Sequence, residues 1–543
     1  MEIRYVKGHS SSGDGGGGIF IWRTLDIFTS TNPTIGIYST DNNGTIIQSI
    51  VNGIPNNDGR WIRQYDGFIN VLYFGAFGFG NDYTINLQNA IDFASLNSKI
   101  NPTLKGSTVF IPNGSYVISN IILKNSITIL GESITSTILY ATQGTENEYM
   151  FEMERGLVMI NISNLYLSGQ KSQRGAFHFK SDFPLGPPFL GGLQNSKISD
   201  IVIFGFFGHG IFLEGGREFS EGLLPHQFNV FENVRVFNFS EFNNSLRITG
   251  QNGQLTFLNC EFDGNPIRDN NDVYTFKRGV NILIRNVKEY NPAVISFINC
   301  TCQYADYGFV IEWAENITID NCWFEQLGVA ISVKSNQISS QSGFQPSKSI
   351  NVVNNRFANA AGFGSLNAPN NIKDGQCVNV SNSFVNVNNN FVVVTDPNGV
   401  FLDENAVFII AYNNTIGGVS ALGNTFSVNK LGRTFGIMQI IDVNAIDNSI
   451  DCSGHKLLFV NTSKTPIKII KSSINAGEYL TIRADQGKIT FVNTDNIFFV
   501  TPNTDNSFSI DNGQIVTFVK IDNIISPSIY ETYQLVSIMR EVI

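Results

Sequence analysis

Between Gln254 and Phe391 one short pattern of apolar and polar positions recurs. QLTFLNCEF (254–262), VISFINCTC (294–302), NITIDNCWF (316–324) and INVVNNRFA (350–358) alternate apolar and polar residues and reach an Asn. A Cys or second Asn often follows before the alternation resumes. A period of two marks strands rather than helices. Taking Asn259, Asn299, Asn321 and Asn355 as equivalent gives intervals of 40, 22 and 34. An interval near 22 is about one turn of a parallel β-helix, and the longer ones read as turns carrying inserted loops.

A second strand ladder runs between these phrases: GIFLEG (210–215), SLRITG (245–250), NILIRN (281–286), GFVIEW (308–313) and GVAISV (328–333). Placing Gly210, Ser245, Asn281, Gly308 and Gly328 in one slot turns Ile211, Leu246, Ile282, Phe309 and Val329 inward. It sets Glu214, Thr249, Arg285, Glu312 and Ser332 in one outward column. Neighbouring turns stack ~4.8 Å apart, so Arg285 and Glu312 are expected to touch. The first ladder gives another outward column, Asp263, Gln303 and Glu325, with Trp323 on the same strand face as Glu325. Loops at 170–195, 215–226, 264–279 and 335–347 interrupt the strands, and loops on a rigid stack are where binding groups collect.

The two ends read differently. In residues 1–70 a run Gly13-Asp14-Gly15-Gly16-Gly17-Gly18 leads into the strand IFIW (19–22), Asp41-Asn42-Asn43-Gly44 signals a hairpin, and Gly59-Arg60-Trp61-Ile62-Arg63 closes a small mount. The glycine run lacks the Gly-Lys-Ser/Thr ending of a phosphate loop. Ile85, Leu87, Ala90, Ile91 and Ala94 fall at helical spacing and predict a helix near 84–96, which can cover the open end of a strand stack. From about 456 short strands joined by tight turns, LLFVNTS (457–463) to QIVTFVKI (514–521), predict a compact antiparallel sandwich or barrel. The expected organisation is all-β: a mount over 1–70, a parallel β-helix over 71–455 and a β-sandwich-like domain over 456–543.

Composition narrows the function classes. Hydrophobic residues make up 42% of the chain and charged residues 15%, which is folded material. The net charge of −10 argues against nucleic acid as a partner. No run of about 18 apolar residues offers a membrane span, and the first residues show no apolar core of a signal peptide. Of the six cysteines, Cys260, Cys300 and Cys322 share one slot of the repeat; Cys302, Cys377 and Cys452 are the others. They read as small residues stacked inside the coil, not as a zinc site or a disulfide framework. No Asp cluster has calcium-ligand spacing, and no metal or other cofactor is expected.

VLYFGAFGFGNDYTINLQNAID (71–92), followed by VFIPNGSYVIS (109–119), resembles the opening of pectate-lyase-like right-handed parallel β-helix proteins. Phe74-Gly75-Ala76, Gly78, Gly80, Asp82, Thr84, Pro112, Gly114 and Tyr116 keep the family pattern; Phe79 and Tyr83 stand where the family usually has Asp. The glycine run through Trp61 is similar to the head of phage tailspike and tail-fibre proteins. That resemblance implies a homotrimer in a phage tail, or extracellular, held to the tail or baseplate through its N-terminal domain. It would bind a bacterial surface polysaccharide and cleave it. The wider family holds hydrolases, lyases, epimerases and proteins with no known activity.

Glycosidases use two carboxylates, about 5–5.5 Å apart for retention and about 6.5–9.5 Å for inversion. Glu312, Glu325 and Asp263 are the candidates. Arg285 and Glu214 from the outward column, and Trp313, Trp323, Tyr304 and Tyr307 around the carboxylates, are the candidate substrate contacts, since an indole face can stack on a sugar ring. Failing Glu312 and Glu325, the loop residues Glu218, Glu221, Asp269 and Asp272 come next. A lyase or epimerase would need a cation and a base, for which Arg217, His226, Lys277 and Arg278 are available; a non-catalytic adhesin would need only the groove.

Overall fold

The computed structural model describes residues 2–24, 40–100, 108–153, 159–181, 192–216, 225–264 apart from 239 and 241, 277–287, 290–337, 344–358 and 376–393. It adds short strands within 267–275 and 407–540. The chain divides into two compact units, Met1–Asn265 and Pro266–Ile543. The fold is a right-handed parallel β-helix, and each unit carries its own series of coils.

The first unit opens with an antiparallel sheet in the order Ile3–Val6, Gly18–Thr24, Ile54–Gln64, Ile46–Val51. The glycine run works here as a carbonyl nest. Arg63 donates to the carbonyls of Gly16, Gly17 and Gly44 at 2.6, 2.7 and 3.2 Å, with its guanidinium 4.5 Å from the Phe20 ring centre and 4.3 Å from that of Tyr73. Asp14 closes the loop by accepting the backbone N–H groups of His9, Ser10, Ser11 and Gly16, which hold its carboxyl well below the usual carboxylate range against the opposing effect of burial.

The helix is Thr84–Ile100, capped by Asp82, whose carboxylate accepts the Thr84 N–H at 2.9 Å. Leu87, Ala90, Ile91 and Ala94 are buried, but Ile85, in the first turn of the helix, is 74% exposed and faces away from the stack. Its cover over the first coil is a hydrogen-bond match. Gln88 accepts the Ile122 N–H at 2.8 Å and donates to the Ile122 carbonyl at 3.0 Å, so one side-chain amide supplies the pairing a neighbouring strand would give. Gly78 and Gly114 explain their place in the opening motif: a Cβ on Gly78 would sit 3.0 Å from the Gly114 Cα, and Gly78 has φ +74°.

Above the helix, parallel strands align apolar residues in columns. Val109, Ile129, Ile162, Ile198, Phe231 and Phe257 are register partners from coil to coil, and each is at most 1% exposed. Ile121, Phe151, Phe177, Ile211 and Leu246 line another side. At ~25 cal/mol per Å² of apolar area, such columns supply most of the stabilisation of a solenoid, and the sheet hydrogen bonds set its register.

The second unit repeats this plan. Ile295, Ile317, Ile350 and Val385 form one inward column, and Cys302, Phe324, Phe357 and Val392 another. Asn299, Asn321, Asn354 and Asn389 take φ values of 55°, 53°, 57° and 56°. A left-handed residue lets the strand turn a corner in one step, and Asn tolerates that conformation better than most residues. The repeat's Asn in the fourth phrase is therefore Asn354. Asn355, expected there, fills the next, buried slot, equivalent to Cys300 and Cys322, because Asp320 pairs with Val353. After residue 456 the pairing is mixed: Tyr479–Gln486, Gln514–Ile521 and Glu531–Arg540 pair antiparallel as expected, but Ile497–Val500 pairs parallel with Glu531–Arg540 and Leu457–Asn461 pairs parallel with Gln439–Asp442. Leu457–Asn461 also pairs parallel with Tyr479–Gln486.

The glycine alignment of the second ladder needs one correction. Ile211 pairs with Leu246, and Ile282 with Phe309, as expected, but Phe309 pairs with Ile331, not Val329. Glycines were the wrong anchor. Gly308 and Gly328 each sit where a neighbouring carbonyl leaves no room for a Cβ, and those sites are two residues out of step. Glu312 therefore lies beside Lys334, and Ser332 is buried at 1% exposure.

Cys260, Cys300, Cys302, Cys322 and Cys377 are free and buried. The Cys322 thiol is pushed far up, first by its hydrogen bond with Cys300 and then by burial, and burial pushes Cys377 up to about 12. A thiol reagent at pH 8 should leave all five unlabelled in the native protein and label them on unfolding; rapid native labelling at these positions would show the register to be wrong.

Candidate functional site

The outward face of the second unit holds an open groove of about 570 Å³ at the Asn corners, between the strands that precede and follow them. Asn299, Asn321 and Asn354 rim it, and Thr301, Gln303, Trp323, Glu325 and Arg356 line it. Register alone assembles this set. Thr301, Trp323, Arg356 and Phe391 are successive partners in one outward column, and Gln303 and Glu325 are partners in the next. The Trp323 indole N–H donates to Glu325 Oε2 at 3.0 Å, and the Gln303 amide donates to the same oxygen at 3.3 Å. The indole is thus held edge-on to a carboxylate. Arg356 lies across its neighbours, with its guanidinium carbon 4.5 Å from the Trp323 ring centre and 5.5 Å from that of Phe391. The arrangement offers an aromatic face, a carboxylate, amides and a cation along one open channel, which suits a hydroxyl-rich chain.

The sequence candidates distribute unevenly over the fold. Trp323 and Glu325 come together. Glu312 does not join them: it lies nine residues beyond Gln303 on the strand Thr301–Glu312, past the corner at Tyr304 (φ 58°), and is not among the residues that line the groove. Its partner is Lys334 at 3.5 Å, a surface contact worth about 0–1 kcal/mol, rather than Arg285. Arg285 has a buried Nε with no hydrogen-bond partner among the described residues. Trp313 is buried at 8% exposure, and Tyr304 and Tyr307 are half-buried outside the groove. Asp263 belongs to the first unit and is buried at 3% exposure. Arg217, Glu218, Glu221, Asp269 and Asp272 lie outside the described residues. Arg356 was missed because the fourth phrase was aligned one residue late. In the correct register it is the residue stacked on Trp323.

Glu214 leads to a second constellation, in the first unit. It was expected in an outward column, yet it and Thr249 are buried, at 4% and 3% exposure. Glu214 Oε2 accepts from His178 Nε2 at 2.9 Å. His178 stacks on Phe212 at 4.8 Å and lies 4.6 Å from the Tyr149 ring, and the Arg247 guanidinium covers the far side of Phe212 at 5.0 Å. Burial pushes the Tyr149 phenol up, and Arg247 opposes that rise. Glu214 fixes the proton on Nε2 of His178, which makes Nδ1 the basic atom of the ring. His178 sits in GAFHFK (175–180), the coil before the ladder as read from GIFLEG, so starting that ladder one coil earlier would have found it.

His226, a candidate loop base, is a structural residue. It is fully buried, accepts the Leu193 N–H on Nδ1 at 2.8 Å and donates from Nε2 to the Glu214 carbonyl at 3.1 Å. Burial, with a smaller contribution from His178, lowers its pKa to about 3. Among the described residues no group of three His, Cys, Asp or Glu side chains is placed to hold a metal, and no helix is long and apolar enough to cross a membrane.

Residues 68–176 match the sequence model of the family described as rhamnogalacturonase A/epimerase, pectate lyase-like. The opening coils are pectate-lyase-like. Among solved structures, the chain is similar to the enzymatically active domain of bacteriophage CBA120 tailspike protein 2 (15% identity, 85% of this chain and 54% of that one, TM-score 0.44). It is similar also to the A-module of the Azotobacter vinelandii mannuronan C-5 epimerase AlgE6 (14%, 66% and 100%, TM-score 0.41). A third is a 1,3-α-1,4-β-D-galactose-4-sulfate-3,6-anhydro-D-galactose-2-sulfate 4 galactohydrolase (13%, 69% and 94%, TM-score 0.43). The chain spans about half the length of the tailspike chains it matches. No curated protein sequence matches it.

The His226 geometry sets a pH dependence. Its folded pKa of about 3 lies below the ordinary 6.5, so the unfolded chain binds the extra proton between those values. Stability from this site is complete above about pH 6.5 and falls as pH drops toward 3, by up to about 1.4 kcal/mol per unit. Imidazole NMR should show His226 neutral from pH 8 to 4; a titration near pH 6.5 would contradict its buried, doubly bonded position.

Proposed function

We propose that the protein binds a bacterial surface polysaccharide in the Trp323 groove and acts as a phage tailspike-like fibre. In this reading residues 1–70 are the mount on the phage tail, residues 456–543 form a C-terminal β domain and the assembly is a homotrimer. The observation that supports it is the groove itself: an indole, a carboxylate, a guanidinium and a row of corner amides on a rigid outward face. Rigidity matters because Thr301, Gln303, Trp323, Glu325 and Arg356 stand on strands of the stacked coils, so little side-chain ordering is left for binding to impose.

Cleavage is a separate question of chemistry. Glu325 is the carboxylate that lines the groove, and Glu312 does not line it, so among the described residues the groove lacks the carboxylate pair that a glycosidase uses. The His178–Glu214 pair favours a second reading, proton abstraction from a sugar carbon as in a lyase or epimerase. The imidazole would take the proton at Nδ1, and the Tyr149 phenol beside it would stay protonated and able to donate.

Incubation with host capsule or O-antigen, followed by sizing and ultraviolet absorbance of the products, separates these outcomes. New unsaturation marks a lyase, shortened saturated oligomers mark a hydrolase, and bound glycan of unchanged size marks an adhesin. Trp323→Ala should weaken glycan binding roughly tenfold, about 1.4 kcal/mol. His178→Gln should lower any cleavage by ~10²-fold with binding retained. Glu312→Gln should leave both within about twofold, as a surface pair does. Full binding by Trp323→Ala would remove the groove from the account.

A further inference from the structure

Arg356 changes what the groove can accept. Its guanidinium lies over one face of Trp323, so a sugar can stack only on the other face, where the preceding coil places the short side chain of Thr301. Arg356 is exposed, and among the described residues no carboxylate pairs with it. The nearest acid in the groove, Glu325, already receives the indole N–H of Trp323 and the amide of Gln303 on one oxygen. Its guanidinium carbon lies 4.5 Å from the Trp323 ring centre and 5.5 Å from that of Phe391, so the cation is flanked by two aromatic rings and its N–H groups are what it offers a ligand. A fixed guanidinium edge is a receiver for a planar or tetrahedral oxyanion, and charge-assisted hydrogen bonds of this kind are roughly twice as strong as neutral ones.

We infer that the groove selects a glycan carrying an acidic substituent, a carboxylate or sulfate, with Arg356 as the residue that reads the acid. This rests on the proposed glycan-binding role of the groove. The acidic group lies on the Arg356 side of the indole, away from Glu325, and the side-chain oxygens of Asn321 and Asn354, whose amide nitrogens donate to Asn299 and Asp320, are left for neighbouring hydroxyls. The carboxylate or sulfate charge is the shared chemistry; the sugar that bears it is not fixed by these contacts.

The test uses tryptophan emission of the full chain titrated with sodium glucuronate, with glucose 3-sulfate and with methyl glucoside, at constant ionic strength. Trp323→Phe assigns the signal, since Trp22, Trp61 and Trp313 lie elsewhere. We expect saturable responses to the two acids, at least about fivefold stronger than to the neutral glucoside, and loss of that preference in Arg356→Gln. Response to only one acid identifies the source of the charge and supports the inference. Equal responses to acidic and neutral sugars, or a preference that survives Arg356→Gln, overturn it and leave the glycan-binding role standing. No Trp323-dependent response to any of them up to about 100 mM overturns that role as well.

Discussion

Everything on the outer faces depends on register between coils. In a strand the side chains alternate, so a slip of one residue would exchange the inner and outer sets along a whole coil. In the second unit that register is held from inside by a chain of buried polar contacts. Asn355 accepts the Cys322 N–H at 2.8 Å and donates to the Ile319 carbonyl at 2.9 Å. Asn390 accepts the Asn355 N–H at 2.8 Å and donates to the Val352 carbonyl at 2.9 Å. Each amide is buried with its partners supplied, and breaking one would leave unpaired polar groups costing about 1–3 kcal/mol apiece. The placing of Arg356 on Trp323 follows directly, since these residues sit one step from the buried amide ladder.

Much of this architecture could be read from the chain. Period-two alternation with a recurring Asn identifies the coils, because a corner made by one left-handed residue leaves its mark on sequence. The opening motif was legible for the same reason: Gly78 and Gly114 approach too closely for any side chain, and Asp82 caps the helix. Pairings across the second ladder were right where strand patterns matched, as for Arg285 beside Glu312, and wrong where glycine was used as the anchor. A glycine reports a tight backbone contact, and such contacts need not recur at the same step of each coil.

The site was only half legible. Trp323 and Glu325 are two residues apart on one strand, so alternation alone puts them together. Arg356 lies a coil away, and its place depends on whether Asn354 or Asn355 occupies the corner, a choice that hydrophobic pattern does not make. The His178–Glu214 pair is harder still, because a buried outward carboxylate looks like any exposed Glu in sequence. Its surroundings are Phe212 on the strand of Glu214 itself and Tyr149 and His226 from two other strands. The two constellations differ in chemistry: an open groove with a face for stacking suits binding, whereas an enclosed imidazole–carboxylate pair suits proton transfer.

The central claim is that the Trp323 groove is where a surface glycan lies. Hydroxyl-radical footprinting of the intact protein, with and without saturating host polysaccharide, tests this most directly, because it reads side-chain cover without assuming any reaction. The account predicts protection of Trp323 and Phe391, with Trp22 in the N-terminal sheet unchanged. Oxidation of Trp323 and Phe391 that is the same with and without bound glycan would contradict it.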